Sequence, residues 1–268
     1  MKLDIISKNM EKKGEIDLPI QFNETVRVDI IKRAVESEQS IKRQAYGASP
    51  DAGMRHSVAI SKRRHDYRGT YGIGQSRTPR KVMSRSGTRM NWTGAFAPQT
   101  VGGRRAHPPK ADKIWDKKIN KKERNMAIRS AISATLSKEL AEKRGHIVPE
   151  KYPFIIDNSI KDIKKTKEAV EFLNSIGIDQ DMKRADSRKI RAGKGTMRNR
   201  RYKKKKSILI VIDDDCPISK AAKNIPGIDI VNVVDLSVEN LAPGASPGRM
   251  TLWTNKSLEK MTKENLFM

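Results

Sequence analysis

The stretch Ser207-Ile-Leu-Ile-Val-Ile-Asp-Asp-Asp215 holds five consecutive apolar residues between polar neighbours. Five residues are too few for a helix, and the run does not alternate, which is how a strand buried on both faces reads. Residues 228–234 repeat the type, residues 154–156 are a shorter version, and residues 250–253 supply a last strand. Helical spacing fills the gaps. Residues 166–176 place Ala169, Val170, Leu173 and Ile176 on one face before Gly177 as a stop, and shorter helical stretches are expected near residues 218–224, 238–241 and 257–267. Strands alternating with helices predict an α/β fold, a mainly parallel sheet with helices on both faces.

Upstream, Leu3, Ile5, Ile16, Leu18 and Ile20 alternate around a polar Lys12-Lys13-Gly14, which predicts a short hairpin turning there. Residues 24–44 carry Val28, Ile31 and Val35 at helical spacing. Ile128, Ile132, Leu136 and Leu140 form an i, i+4 row, predicting one long helix with a capping box at residues 120–123 and an end near Gly145. The segment between these two helices is different in kind. Residues 42–113 contain no Leu and only six residues drawn from Val, Ile and Phe (Val58, Ile60, Ile73, Val82, Phe96 and Val101). So few apolar side chains cannot offset chain ordering entropy, so the segment is expected to be a long extended basic loop inserted near the N-terminus, unable to fold alone. The expected organisation is residues 1–41 and 114–268 as one globular domain with residues 42–113 as its excursion.

Charge divides the chain along the same lines. Of 268 residues, 56 are Lys or Arg and 31 Asp or Glu, a net charge of +25. Residues 42–113 contribute +13 and residues 183–206 contribute +12, leaving the other 172 residues neutral. The partner expected of two basic appendages is a polyanion, since Lys and Arg that neutralise phosphates release condensed counterions. Neither segment has the apolar stripe of a membrane-surface helix or a lipidation motif. The opening residues show no signal-peptide pattern and no apolar run approaches the ~18 residues of a spanning helix, so a cytosolic location is expected and no membrane partner. Cys216 is the only cysteine, which leaves no internal disulfide and no zinc spacing.

The basic residues of segment 42–113 are 11 Arg to 5 Lys, with nine glycines and with Tyr46, Tyr67, Tyr71, Trp92 and Phe96 interspersed. Guanidinium forks onto phosphate and stacks on bases, glycine lets backbone approach closely, and aromatic faces receive unstacked bases. That mixture points to folded RNA; a solvated basic linker is the bland alternative. The candidate RNA-binding residues are Arg43, Tyr46, Arg55, Arg63, Arg64 and Arg68, then Arg77, Arg80, Arg85, Arg89, Trp92 and Phe96, then Arg104, Arg105 and His107. In the second segment, candidates are Lys194, Arg198, Arg200 and Arg201.

Enzyme signals are weak. Gly72-x-Gly74 follows no strand, and Gly193-Lys-Gly-Thr196 lacks the order of a phosphate-binding loop. Asp213, Asp214 and Asp215 end a predicted parallel strand, where carboxylates could hold magnesium for nucleic-acid chemistry. The bland reading is helix capping before Ile218 and charge balance against residues 203–206. No general base or second carboxylate cluster accompanies them, so no catalytic residue is assigned.

The runs Arg43-Gln-Ala-Tyr-Gly47, Ser76-Arg-Thr-Pro-Arg80, Gly94-Ala-Phe-Ala-Pro98, Gly102-Gly-Arg-Arg-Ala-His-Pro-Pro109 and Arg191-Ala-Gly-Lys-Gly-Thr-Met-Arg-Asn-Arg-Arg201 closely resemble the universal ribosomal protein four family of the large subunit, in its archaeal and eukaryotic branch. The similarity spans essentially the whole chain. It implies a structural protein of the cytoplasmic large ribosomal subunit, with large-subunit ribosomal RNA and neighbouring ribosomal proteins as partners. It also implies a loop whose tip lines the narrow part of the polypeptide exit tunnel beside the nascent chain. The tip would fall within residues 72–89, with Gly72, Gly74, Gln75, Arg77, Arg80, Arg85 and Arg89 as candidates. No cofactor or metal ligand of the chain's own is implied; magnesium or monovalent ions would come with the RNA.

Overall fold

The computed structural model describes residues 1–8, 11–58, 60, 63–66 and 69–268. In chain order, β1 (Lys2–Ile6) and β2 (Lys12–Asp17) lead into α1 (Val28–Ile41), followed by β3 (Arg80–Ser86) and β4 (Arg89–Gly94). Then come α2 (Lys121–Ala134), α3 (Lys138–Arg144), β5 (Ile155–Ile156), α4 (Thr166–Ser175) and α5 (Asp179–Asp186). The chain continues through β6 (Lys189–Ile190), β7 (Tyr202–Lys203), β8 (Leu209–Ile212), α6 (Pro217–Ala222), β9 (Asp229–Asn232), α7 (Val238–Leu241), β10 (Thr251–Thr254) and α8 (Asn255–Lys263). Two compact units result: Met1–Lys42 with Asp116–Met268, and Arg43–Trp115.

The first unit is built on a six-stranded sheet in the order β2-β1-β5-β10-β8-β9. Every neighbouring pair is parallel except β1 with β2 at the edge. Side chains leave a strand on alternate faces, and the core obeys that period. Ile156, Ile210, Ile212 and Leu252 pack with α4, α6 and Ile178 on one face. Ile155, Leu209, Val211 and Trp253 pack with α1, α2, α7 and α8 on the other. All four residues of β8 are buried, as the run at 208–212 requires. Residues 228–234 differ from expectation. The strand there is only half-buried because it is the sheet's edge, and its last residues turn into a 3-10 helix, Val233–Asp235.

Three local expectations need correction. The first hairpin turns after Ile6 rather than at Lys12, Lys13 and Gly14; Gly14 sits in β2 opposite Ile5, Ile16 faces Leu3, and a register shift follows between Ile5 and Ile6. The i, i+4 row from Ile128 is not one helix. Thr135 returns its hydroxyl to the Ile132 carbonyl at 2.6 Å, and Ser137 accepts from the Leu140 N–H to start α3. At the start of α2, Asn120 makes no side-chain cap and Glu123 pairs with Arg33 at 3.0 Å instead. The end at Gly145, with φ +95°, is as expected.

The ends of the basic excursion are fixed to one helix. Ser37 Oγ donates to the Lys117 carbonyl at 2.6 Å, the Lys117 N–H donates to Ser40 Oγ at 2.9 Å, and Lys117 Nζ pairs with Glu36 at 2.8 Å. Lys42 pairs with Glu239 of α7. The chain therefore leaves and rejoins this unit at the last turn of α1.

At the amino ends of the parallel strands lies a buried polar cluster. Arg249 is 1 % exposed and donates to the carbonyls of Ser207 (2.8 Å), Ile208 (3.1 Å) and Asn240 (2.9 Å) and to Asp229 (2.6 Å). It ties β8, β9 and the start of β10 together. Asp181 is buried beside it, receiving Arg184 Nε at 2.8 Å, the Ile147 N–H at 3.0 Å and the Ser207 hydroxyl, with His146 Nδ1 at 3.3 Å. Burial alone would raise this carboxyl, but the surrounding donors outweigh it and hold it well below the usual range. Burial, against the pull of Asp181, holds the His146 imidazole below its ordinary 6.5.

Two outcomes follow. Arg249→Met should lower the unfolding free energy by about 3–5 kcal/mol in urea titration, because it strands several acceptors and half of the Asp229 pairing. Both shifted groups bind protons more readily unfolded than folded, so stability is full above about 6.5 and falls as pH drops through the histidine window, then falls further through the carboxylate window. His146→Gln should flatten the melting-temperature slope between pH 7 and pH 5.

Candidate nucleic-acid interface

The Arg43–Trp115 unit is short of apolar side chains but is not without regular structure. Residues 80–94 form an antiparallel hairpin in which Ser86 faces Arg89 across Gly87 and Thr88. Gly87 has φ +59°, which suits the first central position of a two-residue hairpin turn. A bulge at Met83 keeps Val82 opposite Trp92. This departs from a wholly extended reading, and the reason is backbone pairing: a hairpin satisfies its amides without needing a large core.

The two arms of the unit lie together. The Ala48 N–H donates to the Pro109 carbonyl at 2.9 Å. At Gly53 (φ +75°) a side chain would meet the Arg104 backbone at 2.5 Å, and at Gly47 the Ala111 backbone at 2.6 Å, so both positions require glycine. At the base, Tyr46 stacks on Trp115 with centroids 5.6 Å apart and planes 17° from parallel. The Arg43 guanidinium lies 3.7 Å from the Trp115 centroid and Lys113 Nζ 4.4 Å from it. Trp115 was missed by a segment boundary drawn at residue 113; an aromatic two residues past the last lysine was the available signal.

The predicted contact residues fall on the surface. Arg43, Arg55, Arg63, Arg64, Arg77, Arg85, Arg89, Arg104, Arg105 and His107 are exposed, and Arg80 is half-buried. Arg77 covers Tyr71 at 4.3 Å and Arg80 covers Trp92 at 5.4 Å. Trp92 and Phe96 are half-buried, and one face of Tyr46 is taken by Trp115. Gly72 (φ +78°), Gly74 (φ +65°) and Gln75 are exposed in the turn before β3. Tyr67 and Arg68 lie outside the described residues.

The second basic segment is also a closed structure. Ile190 pairs with Tyr202 and Lys189 with Lys203 across β6 and β7. The Arg191 N–H reaches the Arg201 carbonyl at 2.7 Å, and the Arg200 N–H reaches the Gly195 carbonyl at 2.9 Å. Gly193 (φ +80°) and Asn199 (φ +60°) turn the loop. Lys194, Arg198, Arg200 and Arg201 all project from it exposed, so the backbone bonds to itself while the cations are offered outward.

Asp213, Asp214 and Asp215 have other partners. Asp213 forms an ion pair with Lys161, Asp214 pairs with Lys260 at 2.7 Å, and Asp215 accepts from Asn232 at 3.1 Å. Neither part of the bland reading holds: the cap of α6 is Cys216 without a side-chain bond, and the balancing cations are Lys161 and Lys260 rather than residues 203–206. Although burial works against it, the Lys161 pairing keeps the Asp213 carboxyl low. The three are divided among three tethers, not convergent on one ion. Replacing all three by Asn should cost about 1–2 kcal/mol of stability and leave RNA incubated with the protein as intact as with the original chain, read on a denaturing gel.

The profile of the ribosomal protein L4/L1 family matches residues 16–264. The chain is 45 % identical over 268 residues to the "Large ribosomal subunit protein uL4" of Nanoarchaeum equitans, covering 100 % of both chains. It is 44 % identical to the protein of that name from Archaeoglobus fulgidus, covering 97 % of each, and 43 % identical to that from Methanocaldococcus jannaschii, covering 97 % of this chain and 98 % of the relative. With a basic two-armed unit inserted in the chain after α1, a mainly parallel sheet in the other unit and full-length similarity to these relatives, the chain belongs to the ribosomal protein L4/L1 family.

Proposed function

We propose that this protein is a structural constituent of the large ribosomal subunit in the cytoplasm, where it binds large-subunit ribosomal RNA and supports assembly and translation. The observation that carries the reading is that the entire net charge of +25 resides in two segments, most of whose described cations are exposed, while the remaining residues are neutral. Such an arrangement gives an isolated domain little, but it suits a particle built on phosphate. Arginines on both arms would neutralise phosphates, and the open faces of Tyr46, Trp92 and Phe96 would receive unpaired bases.

The Arg43–Trp115 unit acts here as the long basic loop that enters the RNA. Its turns at residues 72–75 and 87–88, with Gly72, Gly74, Gln75, Arg77, Arg80, Arg85 and Arg89, would reach the exit tunnel and the nascent polypeptide. Neighbouring ribosomal proteins complete the partners, and magnesium or monovalent ions arrive with the RNA.

Full-length protein should bind large-subunit RNA with log affinity falling by roughly 0.7–0.9 per neutralised phosphate for each log unit of salt; salt-independent binding would contradict the proposal. Replacing residues 55–105 by a short Gly-Ser linker should leave one cooperative unfolding transition, because the excursion's ends are tied to α1, while weakening RNA binding by at least tenfold.

A further inference from the structure

Among the described residues, the cations around residues 143 and 203 form no ion pair with a carboxylate except Lys206, which meets Asp229. A concavity of about 620 Å³ lies at the amino end of the sheet, lined by Lys143, Arg144, Lys189 and the four lysines of residues 203–206, with Pro243, Ser246 and His146 completing the wall. Among the described residues no carboxylate lines it. Asp229 is shared between Arg249 and Lys206 of this wall, and Asp181 is held by Arg184, His146 and Ser207.

Two features of the wall are unfavourable in the chain alone. Lys189 and Lys203 are directly opposed across the β6–β7 pair, a placement that destabilises when both residues carry the same charge. Arg144 is largely buried and donates to the carbonyls of Pro243 (2.6 Å) and Ser246. Burial and the nearby Arg249 and Arg184 pull its guanidinium down to about 10. Charges arranged this way are relieved by an anion from outside the chain.

We propose that this concavity is a dedicated phosphate basket, built to hold two or more phosphodiester groups of a sharply turned RNA backbone. The inference rests on the ribosomal reading above and adds a site that joins the end of the second basic segment to Lys143 and Arg144, which lie outside both segments. Three points favour RNA over an acidic protein segment. Among the described lining residues only Pro243 is aliphatic, so a peptide finds no large apolar anchor. Lysines act as point charges on phosphate, and the cavity is larger than one phosphodiester requires. Phosphates crowded by a backbone turn repel one another, and a ring of cations converts that repulsion into binding.

The test uses full-length protein and large-subunit RNA. Lys143, Lys189 and Lys204 are exposed, so the triple change Lys143→Gln, Lys189→Gln and Lys204→Gln should leave the melting temperature unchanged or slightly raised. Losing two phosphate contacts should reduce the salt slope by roughly 1.4–1.8 and weaken binding at least tenfold. A charge-matched control, Lys164→Gln with Lys165→Gln and Lys167→Gln, also removes three exposed lysines and should change affinity less than about twofold. Equal losses in the two triples, or no loss in the first, would overturn the basket. Failure of the unaltered protein to bind in a salt-dependent way would instead overturn the ribosomal reading beneath it. In assembled subunits, a photocrosslinker placed through Lys143→Cys in a Cys216→Ser chain should label RNA; labelling of protein alone would overturn the proposal.

Discussion

A parallel sheet must be covered on both faces, and that constraint organises the whole molecule. β8 and the adjacent β10 leave no surface on which a cation could sit, since every residue of both strands is buried. The helices on either side spend their apolar stripes on the sheet. Charge needed for a polyanionic partner therefore has to be carried on excursions from the domain. The two excursions leave at places where departure costs the sheet nothing: after the last turn of α1, and between α5 and β8. Where a charge does enter the core, as Arg249 and Asp181 do, it is saturated with acceptors or donors and serves to lock strand ends.

The excursions solve a second problem, that of holding cations outward without a hydrophobic core. In both, backbone amides bond within the segment, through β3–β4 in one and through β6–β7 with the Gly195 turn in the other. Glycines at 47 and 53 let the arms of the larger one run side by side. Arginines lie over the rings of Trp115, Tyr71 and Trp92, which shields apolar area while leaving guanidinium edges outward. Free energy that an ordinary domain obtains by burying side chains is here left to be supplied by the partner.

What could be read in advance followed from periodicity and charge. The unalternating run at 208–212 announced a doubly covered strand, and Ala169, Val170, Leu173 and Gly177 announced α4 and its end. Charge accounting located both basic segments without any structural information. What was not legible depended on side-chain hydroxyls and on pairing across distance. The break between α2 and α3 hinges on Thr135 and Ser137, residues that a hydrophobic row skips over. The β3–β4 hairpin has too little apolar alternation to signal itself, and α5 carries its buried face on Asp181 and Ala185 rather than on large apolar residues. The partners of Asp213 and Asp214, Lys161 and Lys260, are remote in sequence and no local pattern names them.

The central claim is that the sheet domain is complete in itself while the basic excursions are completed by RNA. Amide hydrogen exchange on the free protein and on the assembled large subunit tests it most directly. The account predicts that residues 209–212 and 251–254 are strongly protected in both states, and that residues 43–115 and 189–203 exchange quickly in the free chain and become protected in the subunit. Equal protection of the excursions in the two states would contradict it.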